Sequence, residues 1–286
     1  MTQTETAAPL VSPQWVAQQL GSPDLAILDA SWHLPTANRD PREEFMQGHI
    51  PGAVFFDIDA ISDPASGLPH MLPDAVSFAK AMGALGVNEN MNIVVYDSLG
   101  LFSAPRAWWT LQTFGARNVL VLDGGLPAWR AAGLPIETGP GEPEPAMFNG
   151  QFNGAAVASL NDVATALASG SAQVADARSP ERFAGAVPEP RPGLPSGHMP
   201  GARNLPMGKL IAAGRLKPSA EVLAAFQEAG LDPDAPIITS CGSGVTAAVI
   251  NLALACAGKP APRLYDGSWT QWASQPGAPV EPSPEG

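Results

Sequence analysis

The chain has 286 residues, 45% hydrophobic and 15% charged, enough apolar material for a packed core and too much for a disordered tail. Its 27 acidic residues outnumber 15 basic ones for a formal charge of −12, a surface that repels phosphate backbones and anionic lipid and so argues against nucleic acid or membrane as a main partner. Two cysteines, Cys241 and Cys256, are too few for a disulfide framework and point to a reducing compartment. The first residues carry neither a basic region nor an apolar core of signal-peptide kind, and no uncharged apolar run reaches the roughly 18 residues of a membrane span. A cytoplasmic location is the expectation.

In chain order, residues 25–28 form the first buried strand-like run, leading into Leu28-Asp29-Ala30 and then Gly48-His49-Ile50-Pro51-Gly52-Ala53. Helical spacing over 73–85 precedes an apolar run at 92–96. A helix at 105–114 and a run at 118–122 follow, closed by Leu122-Asp123-Gly124-Gly125. Residues 135–145 are dense in proline and glycine and read as an extended linker.

Beyond the linker the plan repeats. Strand-like runs at 173–175, 236–239 and 262–265 alternate with helices at 220–229 and 245–257, and 187–195 reads as a loop insertion. Ala175-Asp176-Ala177, Gly197-His198-Met199-Pro200-Gly201-Ala202 and Tyr265-Asp266-Gly267-Ser268 echo the three anchors of the first half, in the same order and at nearly constant separation. Collinear echoes mean a duplicated domain. Residues 1–138 form the first copy, 139–150 the linker and 151–286 the second. Apolar strands alternating with helices imply an α/β fold whose copies are each a mostly parallel sheet flanked by helices.

In such sheets ligands bind at the carboxyl ends of strands, which directs attention to Ser240-Cys241-Gly242-Ser243-Gly244-Val245-Thr246-Ala247. Two glycines let the backbone aim successive N–H groups inward, and the following helix adds its positive end. A thiol so cradled is shifted toward thiolate, its reactive form. Cys256, among apolar helix residues, reads as structural. The loop formally matches a dinucleotide fingerprint, but too little chain follows Asp266 to complete that fold. A cysteine phosphatase would place an arginine where Ala247 stands. A thiolate in a neutral amide nest suits attack on sulfur, with formation of a persulfide.

The repeated GH[I/M]PGA unit, with CGSGVTA in the second copy only, resembles the tandem rhodanese-domain sulfurtransferases, and within them the 3-mercaptopyruvate sulfurtransferases, over nearly the whole chain. Gly242 and Ser243 stand where thiosulfate-preferring relatives carry an arginine and a lysine, and a neutral loop disfavours burial of a dianion. Asp97 takes the cysteine's place in the first copy, which leaves that copy without a nucleophile.

The resemblance implies further roles. Arg182 and Arg191 hold the substrate, with Gly242, Gly244, Val245 and Thr246 as loop contacts, although Glu181 replaces a glycine common in relatives. Asp59, His70 and Ser243 resemble a proton relay beside Cys241. His49 and His198, present in both copies, are expected to be structural, as are Arg178, His33 and most tryptophans. No metal spacing is visible among the histidines and cysteines, and no bound organic cofactor is implied. The implied reaction moves sulfur from a small-molecule donor, 3-mercaptopyruvate, through a Cys241 persulfide to cyanide or to a thiol acceptor such as a small dithiol protein. The alternatives are a thiosulfate–cyanide sulfurtransferase and a non-catalytic sulfur-carrier or docking module.

Overall fold

The structure is a computed structural model and describes residues 8–281. Residues 1–7, on which the argument against a targeting segment partly rests, lie outside them, as do 282–286. The first copy holds β1 (Leu10–Val11), α1 (Pro13–Gln19), β2 (Leu25–Asp29), α2 (Pro41–Gln47), β3 (Ala53–Phe55), α3 (Ile58–Ile61), α4 (Ala75–Ala84), β4 (Asn92–Tyr96), α5 (Ala104–Thr113), β5 (Asn118–Leu122) and α6 (Gly125–Ala131). The second holds β6 (Val157–Ala158), α7 (Leu160–Ser169), β7 (Gln173–Asp176), α8 (Pro180–Ala184), β8 (Arg203–Asn204) and α9 (Met207–Leu210). It continues with β9 (Ile211–Ala212), β10 (Arg215–Leu216), α10 (Ser219–Glu228), β11 (Ile237–Ser240), α11 (Ala247–Cys256), β12 (Arg263–Tyr265) and α12 (Ser268–Ala273).

Each copy is an all-parallel five-stranded sheet, ordered β1-β5-β4-β2-β3 and β6-β12-β11-β7-β8. The apolar runs became the inner strands, because strands covered on both faces must be apolar throughout. The edge strands β1, β3, β6 and β8 escaped the sequence pattern, since two or three residues carry no period to read. The helices start where polar caps precede proline: Ser12, Asp40 and Ser179 each accept backbone N–H groups from the first turn, with Pro13, Pro41 and Pro180 next in chain.

Register places the site. Asp29 pairs across from Tyr96, the residue before Asp97, and Asp176 pairs across from Ser240, the residue before Cys241. In both copies the Asp-Ala unit therefore flanks the loop that leaves the central strand. Asp176 meets Arg178, whereas the matching position beside Asp29 is the uncharged Ser31, and burial pushes the Asp29 carboxyl up to about 6. The two repeated histidines also serve alike. His49 stacks on Phe45 and donates from Nδ1 to its carbonyl, and His198 does the same with Phe183.

The copies share one core. α5 of the first packs on α11 of the second, so that Trp108 and Leu111 join Ala248, Val249 and Leu252 in a single buried cluster. The helix α11 is apolar nearly all round because it lies between its own sheet and the other copy. Each buried Leu or Val there contributes about 1.5–3 kcal/mol. The linker is strapped down as well: the Ala146 N–H bonds the Gly83 carbonyl, and Phe148 packs edge-on against Phe78.

Polar clamps cross the interface in both directions. Buried Arg106 of the first copy bonds Asp266 at 2.6 Å. Arg215, on the β9–β10 hairpin that reaches over from the second copy, bonds Asp123 at 2.8 Å. Asp123 and Asp266 are the same position of the repeat. Their environments differ, because the Arg215 side chain is 48% exposed and that of Arg106 only 2%. Arg106→Met is therefore expected to lower the unfolding free energy by about 3–5 kcal/mol, since it strands the Asp266 charge in the core. Arg215→Met is expected to cost less than about 1 kcal/mol. Guanidinium denaturation of the two variants checks the difference.

Candidate active site

The loops at the carboxyl ends of β4 and β11 are two versions of one device. In the first copy, Asp97 folds its carboxylate back into its own loop. Oδ1 accepts the N–H groups of Leu99 and Gly100, and Oδ2 those of Phe102, Ser103 and Ala104. The backbone there is a nest built for an anion, filled by a side chain. In the second copy Cys241 takes that place, and its own N–H bonds Ser268 Oγ. Among the described residues, the N–H groups of Gly242 through Ala247 donate to no protein acceptor. Cys241 itself is 2% exposed.

Two glycines shape this loop, and Gly244 is the one the backbone requires. Gly244 has a φ of +80°, and a Cβ there would lie 2.9 Å from Arg106 Nη1 and 3.0 Å from the Asp266 carbonyl. Gly242 lies under Arg182, whose Nη2 is 2.9 Å from where a Cβ would sit. The absent side chain is what lets a guanidinium rest directly over the cysteine loop.

A cavity of about 300 Å³ opens beside Cys241. Gly242, Ser243, Val245, Thr246, Arg182 and Arg191 line it, so most residues singled out in the sequence meet there. Gly244, His70 and Asp59 do not line it: the Gly244 Cα faces the domain interface, with Arg106 and the Asp266 carbonyl as neighbours. Arg182 reaches the cavity from α8, held by Glu189. Arg191 arrives on the proline-rich loop at 187–195 and, among the described residues, has no carboxylate within ion-pair distance. Burial pulls its pKa down, opposed by the nearby charge of Cys241.

From the first copy comes His70, 3% exposed. Its Nδ1 lies 2.9 Å from Ser243 Oγ and its Nε2 lies 3.0 Å from Asp59 Oδ1. With Nε2–H donating to Asp59, Nδ1 is left to accept the Ser243 hydroxyl proton. Asp59 also accepts from Trp32 Nε1 at 3.1 Å. Its carboxyl is held below the usual range, chiefly by the His70 hydrogen bond, with burial opposing and Trp32 and Arg191 assisting. His70 has a φ of +61°, strained for a residue with a Cβ. Its carbonyl accepts from Arg106, which also bonds Asp266 and, more weakly, the Gly244 carbonyl. One guanidinium thus ties the His70 loop to the cysteine loop.

Several lining residues carried no functional reading in the sequence, among them Trp32, Phe102 and Ser179. Trp32 follows the Asp-Ala unit at the end of β2, and that strand-end position was the available signal. Glu189, two residues before Arg191, carried no functional reading in the sequence either, yet it is the buried anchor of Arg182. Arg178 is fully enclosed by Asp176, Glu189 and the Trp269 ring, in keeping with a structural reading. His33 bonds Glu44 away from the cavity. Cys256, expected inside a helix, is the last residue of α11 and half-buried, with its thiol pushed up to about 12 by burial.

Known proteins are similar to this chain over nearly its whole length. The 3-mercaptopyruvate sulfurtransferase of Escherichia coli strain K12 is 48% identical over 273 residues, covering 95% of this chain and 97% of the relative. The Homo sapiens protein of the same name is 44% identical, over 95% and 94%. The crystal structure of SseA from Escherichia coli, described under the rhodanese fold and catalytic mechanism of 3-mercaptopyruvate sulfotransferases, matches with a TM-score of 0.85 at 46% identity, over 92% of this chain and 99% of that one. The model of the rhodanese-like domain matches twice, at residues 12–132 and 159–275, and the chain therefore belongs to the rhodanese family as a tandem-domain member.

Proposed function

We propose that this protein is a 3-mercaptopyruvate sulfurtransferase. The observation that carries the reading is the unfilled amide nest around Cys241, whose twin in the first copy is closed by a carboxylate, set beneath Arg182 and facing Arg191. The nest is electrostatically suited to a sulfur-centred anion, and the two guanidiniums to the carboxylate and carbonyl oxygen of a 2-oxo acid.

In the first half-reaction the Cys241 thiolate attacks the donor sulfur. The S–S bond forms as the C–S bond breaks, and its electron pair passes to the neighbouring carbonyl as pyruvate enolate, which is protonated at carbon. Cys241 is left as a persulfide. In the second half-reaction an acceptor thiolate attacks the outer sulfur and releases Cys241 as thiolate. Ser243, hydrogen-bonded to an imidazole oriented by Asp59, serves as the proton carrier at the sulfur centre. The acceptor is a thiol, such as that of a small dithiol protein, and the setting is the cytoplasm. The proposed location agrees with the cysteine usage, and among the described residues no helix is long and apolar enough to cross a membrane.

Intact-protein mass spectrometry after addition of 3-mercaptopyruvate is expected to show a gain of one sulfur atom, mapped to Cys241. Cys241→Ser should lower pyruvate release by about a thousandfold or more; undiminished release would overturn the reading. Arg191→Leu removes a charge-assisted contact and should raise KM for mercaptopyruvate by about 10- to 100-fold, with a much smaller change in kcat. Ser243→Ala and His70→Gln should each lower kcat by about a hundredfold or more. If they act as one unit, steady-state kinetics of the double variant will show little loss beyond the worse single one.

A further inference from the structure

The charges beside Cys241 are linked. Glu189 is 8% exposed. Its Oε1 accepts from Arg178 Nη1 at 2.9 Å and from Arg182 Nε at 3.2 Å, and its Oε2 accepts from Arg182 Nη2. Arg178 is fixed in turn by both oxygens of Asp176, by the Gly197 carbonyl and by the Trp269 ring 4.5 Å away. Asp176 and Glu189 together answer the charges of Arg178 and Arg182. The next carboxylate, Asp59, is committed to His70 and Trp32. One guanidinium facing the cavity, that of Arg191, remains without a carboxylate in ion-pair contact among the described residues.

Building on the sulfurtransferase reading, we propose that Glu189 sets the charge class of the sulfur donor. By neutralising Arg182 it leaves Arg191 as the one cavity guanidinium with no carboxylate in ion-pair contact among the described residues, which suits a donor with one negative charge, as a 2-oxo acid carries at its carboxylate, better than a donor with two. A dianionic donor such as thiosulfate brings a second charge for which the cavity holds no free partner, and an unpaired charge in a partly buried site is unfavourable. Arg182 loses none of its use in this arrangement. A guanidinium has five N–H donors in a fixed fork, so after bonding Glu189 it still has donors to orient a carbonyl or carboxylate oxygen. Glu189 does not need to touch the donor. It is a positioning and charge-setting residue.

The test compares donors on the full-length chain. Glu189→Gln keeps an oxygen acceptor and the side-chain shape but removes the charge. It is expected to raise the ratio of kcat/KM for thiosulfate to that for mercaptopyruvate by about tenfold or more, chiefly through KM for thiosulfate. Glu189→Asp retains the charge and should leave the ratio within about twofold, whatever it does to the overall rate. Glu181→Gln removes an exposed charge next to Arg182 in sequence and should also stay within about twofold. If Glu189→Gln depresses both donors alike with the ratio unchanged, the role is merely structural and the proposal fails. Should that variant not fold, the wild type still decides through competitive inhibition by methanesulfonate and sulfate, tetrahedral anions of one and two charges. Methanesulfonate is expected to bind at least as tightly, and a sulfate Ki about tenfold lower would overturn the proposal. Failure of the wild type to release pyruvate from mercaptopyruvate would defeat the underlying reading, an outcome distinct from an unchanged ratio.

Discussion

A loop that turns its backbone N–H groups inward must give them an acceptor, and most of the architecture follows from how each copy meets that demand. In the first copy Asp97 closes the nest with its own carboxylate, bonded to five residues of the loop: Leu99, Gly100, Phe102, Ser103 and Ala104. That loop is internally satisfied. In the second copy a cysteine stands at the same register, and its side chain cannot fill the cradle. A single change of residue at the end of a central strand separates a structural anchor from a site poised for sulfur chemistry.

The first copy is therefore a working part of the assembly even without a nucleophile. It supplies Trp32 and Phe102 to the wall of the cavity and His70 and Asp59 to the hydrogen-bonded chain that ends at Ser243. Arg106 makes the arrangement definite, because it grips the His70 carbonyl and Asp266 together. The strained backbone of His70 is held in place by that grip and by the Trp32 ring, edge-on at 4.8 Å. The repeated aspartates of the two Asp-Gly turns each take an arginine from the opposite copy. The duplication is thus used reciprocally at the interface, although the two arginines occupy unrelated positions in their own copies.

The electrostatics of the cavity depend on carboxylates that are largely hidden from it. Glu189 and Asp176 absorb the charge of two arginines without lining the cavity themselves. Arg191, carried on a loop rich in proline, lines the cavity with no carboxylate in ion-pair contact among the described residues. Prolines restrict that loop's backbone and reduce what ordering it costs, which suits a segment that must hold a charged side chain at a fixed place.

Much of this was legible in the sequence by itself: the duplication, the inner strands, and the cysteine loop with its glycines; the choice of Arg182 and Arg191 rested on the family resemblance. Apolar runs and turn residues report on neighbours within a few positions, and the duplication shows as the same short anchors recurring in order along the chain. What only the tertiary structure decided were contacts between distant positions. His70 meets Ser243 across 173 residues and Arg106 meets Asp266 across 160. Glu189 lies close in sequence to both its arginines, but its burial and its choice of partners depend on how the loop packs. The same holds for the outward turn of Gly244 and for the edge strands, too short to show a period. Local chemistry writes the elements into the chain, whereas the packing of α5 on α11 determines which side chains from opposite copies face one another.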